Sequence, residues 1–230
     1  MHSVFWKRIL VVIAISGSFY YIFRPSMIFL KFYNPEKTSL MKYRIAEAER
    51  KRTKSRIRRE WVDYNNISPS LIKAVILAED EKFWEHPGFD WEGIKYALEV
   101  DYKKQGFVRG GSTITQQLAK NLYLKPKRSI LRKLHEALLA LELELFLSKE
   151  RILELYLNVI EWGDGIFGIE AASKDYFGKS ASELTDEESI RLAAVLPNPR
   201  RYSPLRGSRF LDNRVELLSE RFYKISKTIK

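Results

Sequence analysis

The 230-residue chain contains no cysteine, which excludes disulfides, a thiolate nucleophile and any cysteine-based metal site. Histidine is almost as scarce. Only His2, His86 and His135 occur, and no two stand at His-x-x-x-His spacing, so a zinc hydrolase of that type lacks its ligands. Convincing period-2 alternation is missing outside short stretches, so the fold should be mainly α. Acidic charge is short as well: 29 Asp and Glu face 40 Lys and Arg, giving a net charge of +11. The stretch Met41 to Glu60, with nine Lys/Arg against three Glu, supplies +6 of it.

That basic run suits anionic lipid or nucleic acid equally, or is simply a solvated helix face. No groove-reading or stacking module supports nucleic acid. At 45% apolar residues the chain can bury one sizeable core, or a core with a small second lobe. Near the N-terminus, Ile9 to Phe23 is a run of 15 uncharged residues between Lys7–Arg8 and Arg24. It is shorter than the roughly 20 residues of a spanning helix. With Arg24 snorkelling and apolar character resuming at Met27 to Leu30, a tilted span fits. The rival is a cleaved signal peptide. No Ala-x-Ala site follows, however, and Tyr20 to Phe23 is bulky where a peptidase needs small residues. The expected organisation is an anchor and membrane-proximal segment over 1–33, a basic linker over 34–60 and a catalytic domain over 61–230. Arg24, Lys31 and Lys37 oppose Lys7 and Arg8, so flanking charge does not set the anchor's orientation.

What the sequence does hold is concentrated in three blocks: ILAEDEKFWEHPGFD (76–90), RGGSTITQQLAKN (109–121) and RSILRKLHE (128–136). Ser68–Pro69 predicts an N-cap with proline at the first helical position, and Leu71, Ala74, Val75 and Ala78 mark a buried face ending at Glu79–Asp80. Asp90 should cap a second helix, with Ile94, Ala97 and Leu98 inward and Gly106 as its stop. Thr113 and Gln116 form a capping-box pattern after Gly110–Gly111, and the helix start, with the Ser112 and Thr113 hydroxyls, reads as an anion site or an ordinary cap. Arg128, Arg132 and Glu136 fall on one helical stripe, while Leu131, Leu134, Leu138, Leu141 and Leu145 form the other, expected to face the core. Arg132 and Glu136 also read as a plain intrahelical ion pair. Five basic residues and no acid between Lys125 and Lys133 call for an outside anion. Ser148 and the pair Thr185/Glu188 predict two further helix starts in a C-terminal half that reads as scaffold. Carboxylates beside a cation cluster point to an enzyme whose substrate carries phosphate. Ser70-x-x-Lys73 matches acyl-serine enzymes, but the partner Lys-Thr-Gly is missing and helix start is the better reading.

Five segments, AEDEKFWEHPGFD, GGSTITQQLAKN, RKLHE, ERILELYLN and AAVLPNPRRYSP, resemble in order the signature motifs of the peptidoglycan glycosyltransferases, over roughly Trp61 to Pro204. The resemblance implies a lysozyme-like, bilobal helical domain behind an N-terminal membrane anchor. It also implies a monofunctional enzyme, with no room for a transpeptidase domain after the fifth motif. The substrate would be lipid II, with the growing glycan as donor. Glu79 matches the general base, and Glu136 the second acid, expected to stabilise charge or orient Lys120 or Arg128. Lys120 and Arg128, with Arg132 as a weaker candidate, match the diphosphate-binding positions. Ser112 and Gln117 would line the donor subsite. Asp80 would help set the Glu79 pKa, and Phe83 and His86 would hold the motif loop. No cofactor is required, and Mg2+ or Mn2+ is compatible with a diphosphate, although the acids have no metal-site spacing of their own. Membrane lipids and cell-wall synthesis or division proteins are the other expected partners, and Pro25 to Tyr33 has the apolar character of a lipid-tail contact. The family reading places the catalytic domain on the outer, periplasmic side of the cytoplasmic membrane. A membrane-tethered muramidase using Glu79 and Glu136 is the alternative enzyme, though it needs no diphosphate cluster. A non-catalytic basic anchor protein is the alternative without chemistry.

Overall fold

The computed structural model describes residues 27–53, 56–93, 111–127 and 129–228, with the single positions 6, 11 and 95, and side chains as far as residue 224. Most of the expected anchor, Ile9 to Phe23, and the inward positions Ile94, Ala97 and Leu98 with Gly106, lie outside the described residues, as does Arg128. Among those described, no helix is long and apolar enough to cross a membrane. The chain divides into two compact units, Met1–Pro35 and Glu36–Lys230. In the first, a 3-10 turn spans Met27–Lys31, with Ile28, Phe29, Phe32 and Tyr33 exposed.

The second unit is mainly helical, as the scarcity of strand pattern predicts. Residues 34–60, expected as a linker, carry regular structure. Thr38 caps α1 (Ser39–Arg50) by accepting from Met41 N, and β1 (Arg58–Arg59) joins a small sheet. The solvated-helix-face reading of this basic run therefore describes much of it, but α1 also packs on α3 (Ile114–Tyr123). The helix predicted at Ser68–Pro69 is α2 (Pro69–Glu79). Pro69 sits in its first turn, and the Ser68 hydroxyl donates to Leu184 O instead of capping. α2 buries Leu71, Ala74 and Val75 against α7 (Asp186–Val195) and α8 (Arg209–Thr228).

A second helical cluster is built from α3, α4 (Ile130–Phe146) and α5 (Lys149–Val159). The predicted caps at Thr113, Ser148 and Thr185 all form, with both arms of the box present at Thr113/Gln116 and Thr185/Glu188. Between α5 and α6 (Ile169–Phe177) run β2 (Glu161–Gly163) and β3 (Ile166–Phe167), and the sheet order is β1-β3-β2. β1 pairs parallel to β3, and β2 antiparallel with a register shift between Glu161 and Gly163. Tyr156, Trp162 and Phe167 fill the core here. Asn158, fully buried, pins the segment before α2 by exchanging hydrogen bonds with both the N–H and the C=O of Val62.

One expectation fails in an informative way. Leu131, Leu134, Leu138, Leu141 and Leu145 do not face the core; they are 48–77% exposed. α4 instead buries Glu136, Leu139, Ala140 and Leu143. The buried face sets those three apolar residues beside Glu136, which with the partly buried Arg132 lines the candidate site described next, so α4 is apolar on two faces and only one of them is covered. A ridge of leucines is left on the surface.

Candidate functional site

The ends of α2 and α3 meet at Glu79. Its side chain is 14% exposed. Gln117 Nε2, from α3, donates to Glu79 Oε2 at 2.7 Å, and Arg214, from α8, meets Oε1 at 3.4 Å. Burial pushes the Glu79 carboxyl above the ordinary carboxylate range, partly offset by the Gln117 hydrogen bond and by the charges of Arg214 and Lys120. Asp80 acts in the direction expected, raising it further, but is the weakest of these influences.

Asp80 is chiefly engaged elsewhere. Its Oδ1 takes a hydrogen bond from His86 Nε2 at 2.8 Å, and its Oδ2 accepts from Ile114 N, the first N–H of α3, at 2.9 Å. Gly88 N donates to His86 Nδ1 at 3.2 Å, so the ring carries its proton on Nε2, facing Asp80. Gly88 has a φ of +93°, and a Cβ there would stand 3.1 Å from Glu144 Cγ, so the loop needs glycine at this point. The Thr113 hydroxyl closes the same loop by donating to Gly88 O at 2.7 Å. Phe83 is fully buried, with Lys149 Nζ 4.5 Å from its ring centroid.

These bonds overturn the reading of the α3 N-terminus as a site for an outside anion. Ile114 N is taken by the Asp80 carboxylate and Gln116 N by the Thr113 hydroxyl, and Thr113 is buried. The anion that complements this helix end belongs to the chain itself. Ser112 accepts from Lys133 Nζ at 3.0 Å. Gln117, expected in a donor subsite, has its carboxamide held at both ends: Nε2 by Glu79, and Oε1 by the buried Tyr156 hydroxyl at 3.1 Å.

On α4, Glu136 is 2% exposed. Arg132 donates to its Oε2 at 2.6 Å and Lys133 pairs with Oε1, so the intrahelical pair exists and is doubled. Glu136 makes no direct ion pair with Lys120, although its charge reaches Lys120. Lys120 is half-buried and, among the described residues, has no ion-pair partner. Burial pulls its ammonium below the usual lysine range, Lys133 and Arg132 add to this, and Glu136 and Glu79 oppose it. The structure thus brings Glu79, Lys120, Gln117, Arg132, Glu136, Ser112 and Lys133 into one neighbourhood, with Asp80, Phe83 and His86 underneath. Sequence reasoning missed Tyr156, Lys133 and Arg214. Tyr156 lies inside a quoted motif, and Lys133 is adjacent to Arg132. Arg214 gave no local signal.

A separate concavity of about 370 Å³ is lined by residues including Arg44, Glu47, Arg58, Glu161 and Arg200. Its charges are cross-paired, and Glu47 is held at about 2, chiefly by Lys51. It reads as an ion-pair network joining α1 to the sheet.

A family profile described as transglycosylase matches residues 46–223. Proteins named biosynthetic peptidoglycan transglycosylase are similar over most of their length. That of Aromatoleum aromaticum is 51% identical over 191 residues, 83% of each chain. That of Dechloromonas aromatica is 49% identical over 188 residues, 82% of this chain and 81% of its own. That of Nitrosospira multiformis is 42% identical over 222 residues, 96% of each.

Proposed function

The chain belongs to the biosynthetic peptidoglycan transglycosylase family, and from that premise we propose the mechanism by which its site polymerises glycan strands. The enzyme is a peptidoglycan glycosyltransferase; lipid II and the growing strand are its substrates. In our reading Glu79 removes the proton from the GlcNAc 4-hydroxyl of lipid II. The freed oxygen attacks the anomeric carbon of the donor from the face opposite the diphosphate. A β-1,4 bond forms with inversion as the polyprenyl diphosphate departs with the bonding electrons. Burial suits Glu79 to this task, because a carboxylate raised toward neutrality is a stronger base.

The observation that carries the reading is Lys120, a half-buried cation without an ion-pair partner among the described residues, within electrostatic reach of Glu79. A diphosphate leaving group needs held positive charge, not protonation by a second acid. Lys120 supplies it, supported by Arg132 and Lys133, and Arg128 is assigned the same task from its motif position. Glu136 then organises the cation cluster. Both its oxygens are engaged by Arg132 and Lys133, which disqualifies it as the free acid of a muramidase. Since Glu79 and Glu136 are both committed, Mg2+ or Mn2+ would enter with the diphosphate. Lys120→Ala should lower kcat/KM for polymerisation of labelled lipid II by about 10²–10³-fold. Wild-type rates in that variant, read by product size on gels, would remove Lys120 from the leaving-group site.

We also propose that the domain works at the outer surface of the cytoplasmic membrane, anchored through Ile9 to Phe23, as a bilobal lysozyme-like unit. The leucine ridge of α4 supports this: Ile130, Leu131, Leu134 and Leu138 are exposed, with Lys125 and Lys127 just before them. Contiguous surface apolar area flanked by cations suits an anionic bilayer. The double variant Leu134→Glu/Leu138→Glu should polymerise lipid II in anionic vesicles about tenfold more slowly while keeping its rate in detergent. Equal losses in both media would count against a membrane face.

A further inference from the structure

Glu79 occupies the last turn of α2, where helix carbonyls lack donors and the dipole is negative. Both features oppose a carboxylate there. α8 answers with a basic stripe. Arg214 Nη2 donates to Ala78 O and to Glu79 Oε1, each at 3.4 Å. Seven residues on, Arg221 donates to Leu77 O at 3.4 Å and pairs with Glu81. Arg214 Nε is buried and finds no acceptor among the described residues, so this placement is not the one that best satisfies the guanidinium itself.

The other carboxylate oxygen is held from the opposite direction. A glutamine can present either its oxygen or its NH2 group. Because the Tyr156 hydroxyl donates to Gln117 Oε1, the NH2 end is the one left for Glu79. One arm therefore comes from α8 and the other from α5 through α3.

We propose that Arg214 and Tyr156 are positioning residues for the base, a two-armed clamp that fixes the direction of the Glu79 carboxylate and keeps it able to ionise at the end of α2. The inference rests on the reading of Glu79 as the base. The charged and titratable groups facing Glu79 are Arg214 from α8, Lys120 from α3, Tyr156 from α5 and Asp80 on its own turn. Of the two cations, Arg214 alone touches the carboxylate. Its loss should shift the pH at which Glu79 gives up its proton upward, because the charged form loses its closest counter-charge.

The test is steady-state polymerisation of lipid II by the full-length, detergent-solubilised enzyme across pH, with Arg214→Gln, Arg214→Lys, Tyr156→Phe and Glu79→Gln compared. Arg214→Gln should lose about 10–100-fold in kcat with little change in KM, and the acid limb of its kcat profile should move to higher pH. Arg214→Lys should restore the limb and part of the rate. Tyr156→Phe, which removes one oxygen, should lower kcat about tenfold at unchanged KM. A rise in KM alone for Arg214→Gln would make it a substrate contact, and an unmoved acid limb would make it structural; either overturns the proposal. Should Arg214→Gln fail to fold, Tyr156→Phe decides alone, and an unchanged kcat there would overturn the proposal equally. Wild-type activity in Glu79→Gln would instead mean that the base assignment itself had failed, a separate outcome.

Discussion

Glu79→Gln is expected to lower the rate of glycan polymerisation by about 10²–10⁴-fold, the range for loss of a general base, with lipid II binding largely retained. The amide occupies the same volume and its carbonyl oxygen can still accept from Gln117, leaving its NH2 toward the longer 3.4 Å Arg214 contact, so KM is the internal control. The same substitution should gain in stability relative to wild type as pH rises. Burial raises the Glu79 carboxyl in the folded state, so folding favours its protonated form. The stability this contributes is complete below the unfolded-state value and is lost as pH rises through the folded one. Glutamine does not titrate and escapes the loss. Thermal unfolding should therefore show the difference between variant and wild type moving in the variant's favour from about pH 4 to pH 8. An inactive variant that loses more stability against wild type at pH 8 than at pH 4 would mean that Glu79 is held for structure, not for catalysis.

Such a trade of stability for reactivity also explains what the sequence could reveal and what it could not. Capping boxes at Thr113/Gln116 and Thr185/Glu188 were legible because both partners lie three residues apart on one chain segment. So was the end of α2 at Glu79, marked by the change from an apolar run to Glu-Asp-Glu. The five ordered motifs named the family before any contact was known. Partners distant in sequence stayed hidden. The anion at the start of α3 is Asp80, 34 residues upstream, so local reading saw free N–H groups where the fold had already filled them. Arg214 lies 135 residues from Glu79 and inside a helix with no motif. The α4 leucines misled for a different reason: the helix has a second apolar face, Leu139, Ala140 and Leu143, which packs inward beside Glu136 and leaves the leucine stripe outside.

The hidden partner with the largest expected effect on stability is Asp80. Its two oxygens join the end of α2 to the start of α3 and to the His86 loop, and its residue is buried. Asp80→Ala leaves Ile114 N and His86 Nε2 without acceptors in the interior. Two hydrogen bonds to a charged group at about 1.5–3 kcal/mol each put the loss near 3–6 kcal/mol, measurable as a lowered denaturant midpoint. Asp80→Asn should fall between the two. Its remaining carbonyl oxygen can serve Ile114 N, but its NH2 would then face His86 Nε2–H, donor against donor. The ring cannot exchange its proton to Nδ1 to relieve this, because Gly88 N–H donates to that nitrogen. Activity should fall in parallel, since Glu79 on α2 and Gln117 on α3 keep their 2.7 Å contact only while the two helix ends stay joined. Wild-type stability in Asp80→Asn would show that the His86 contact contributes nothing, and would leave the α3 cap as the whole of what Asp80 does.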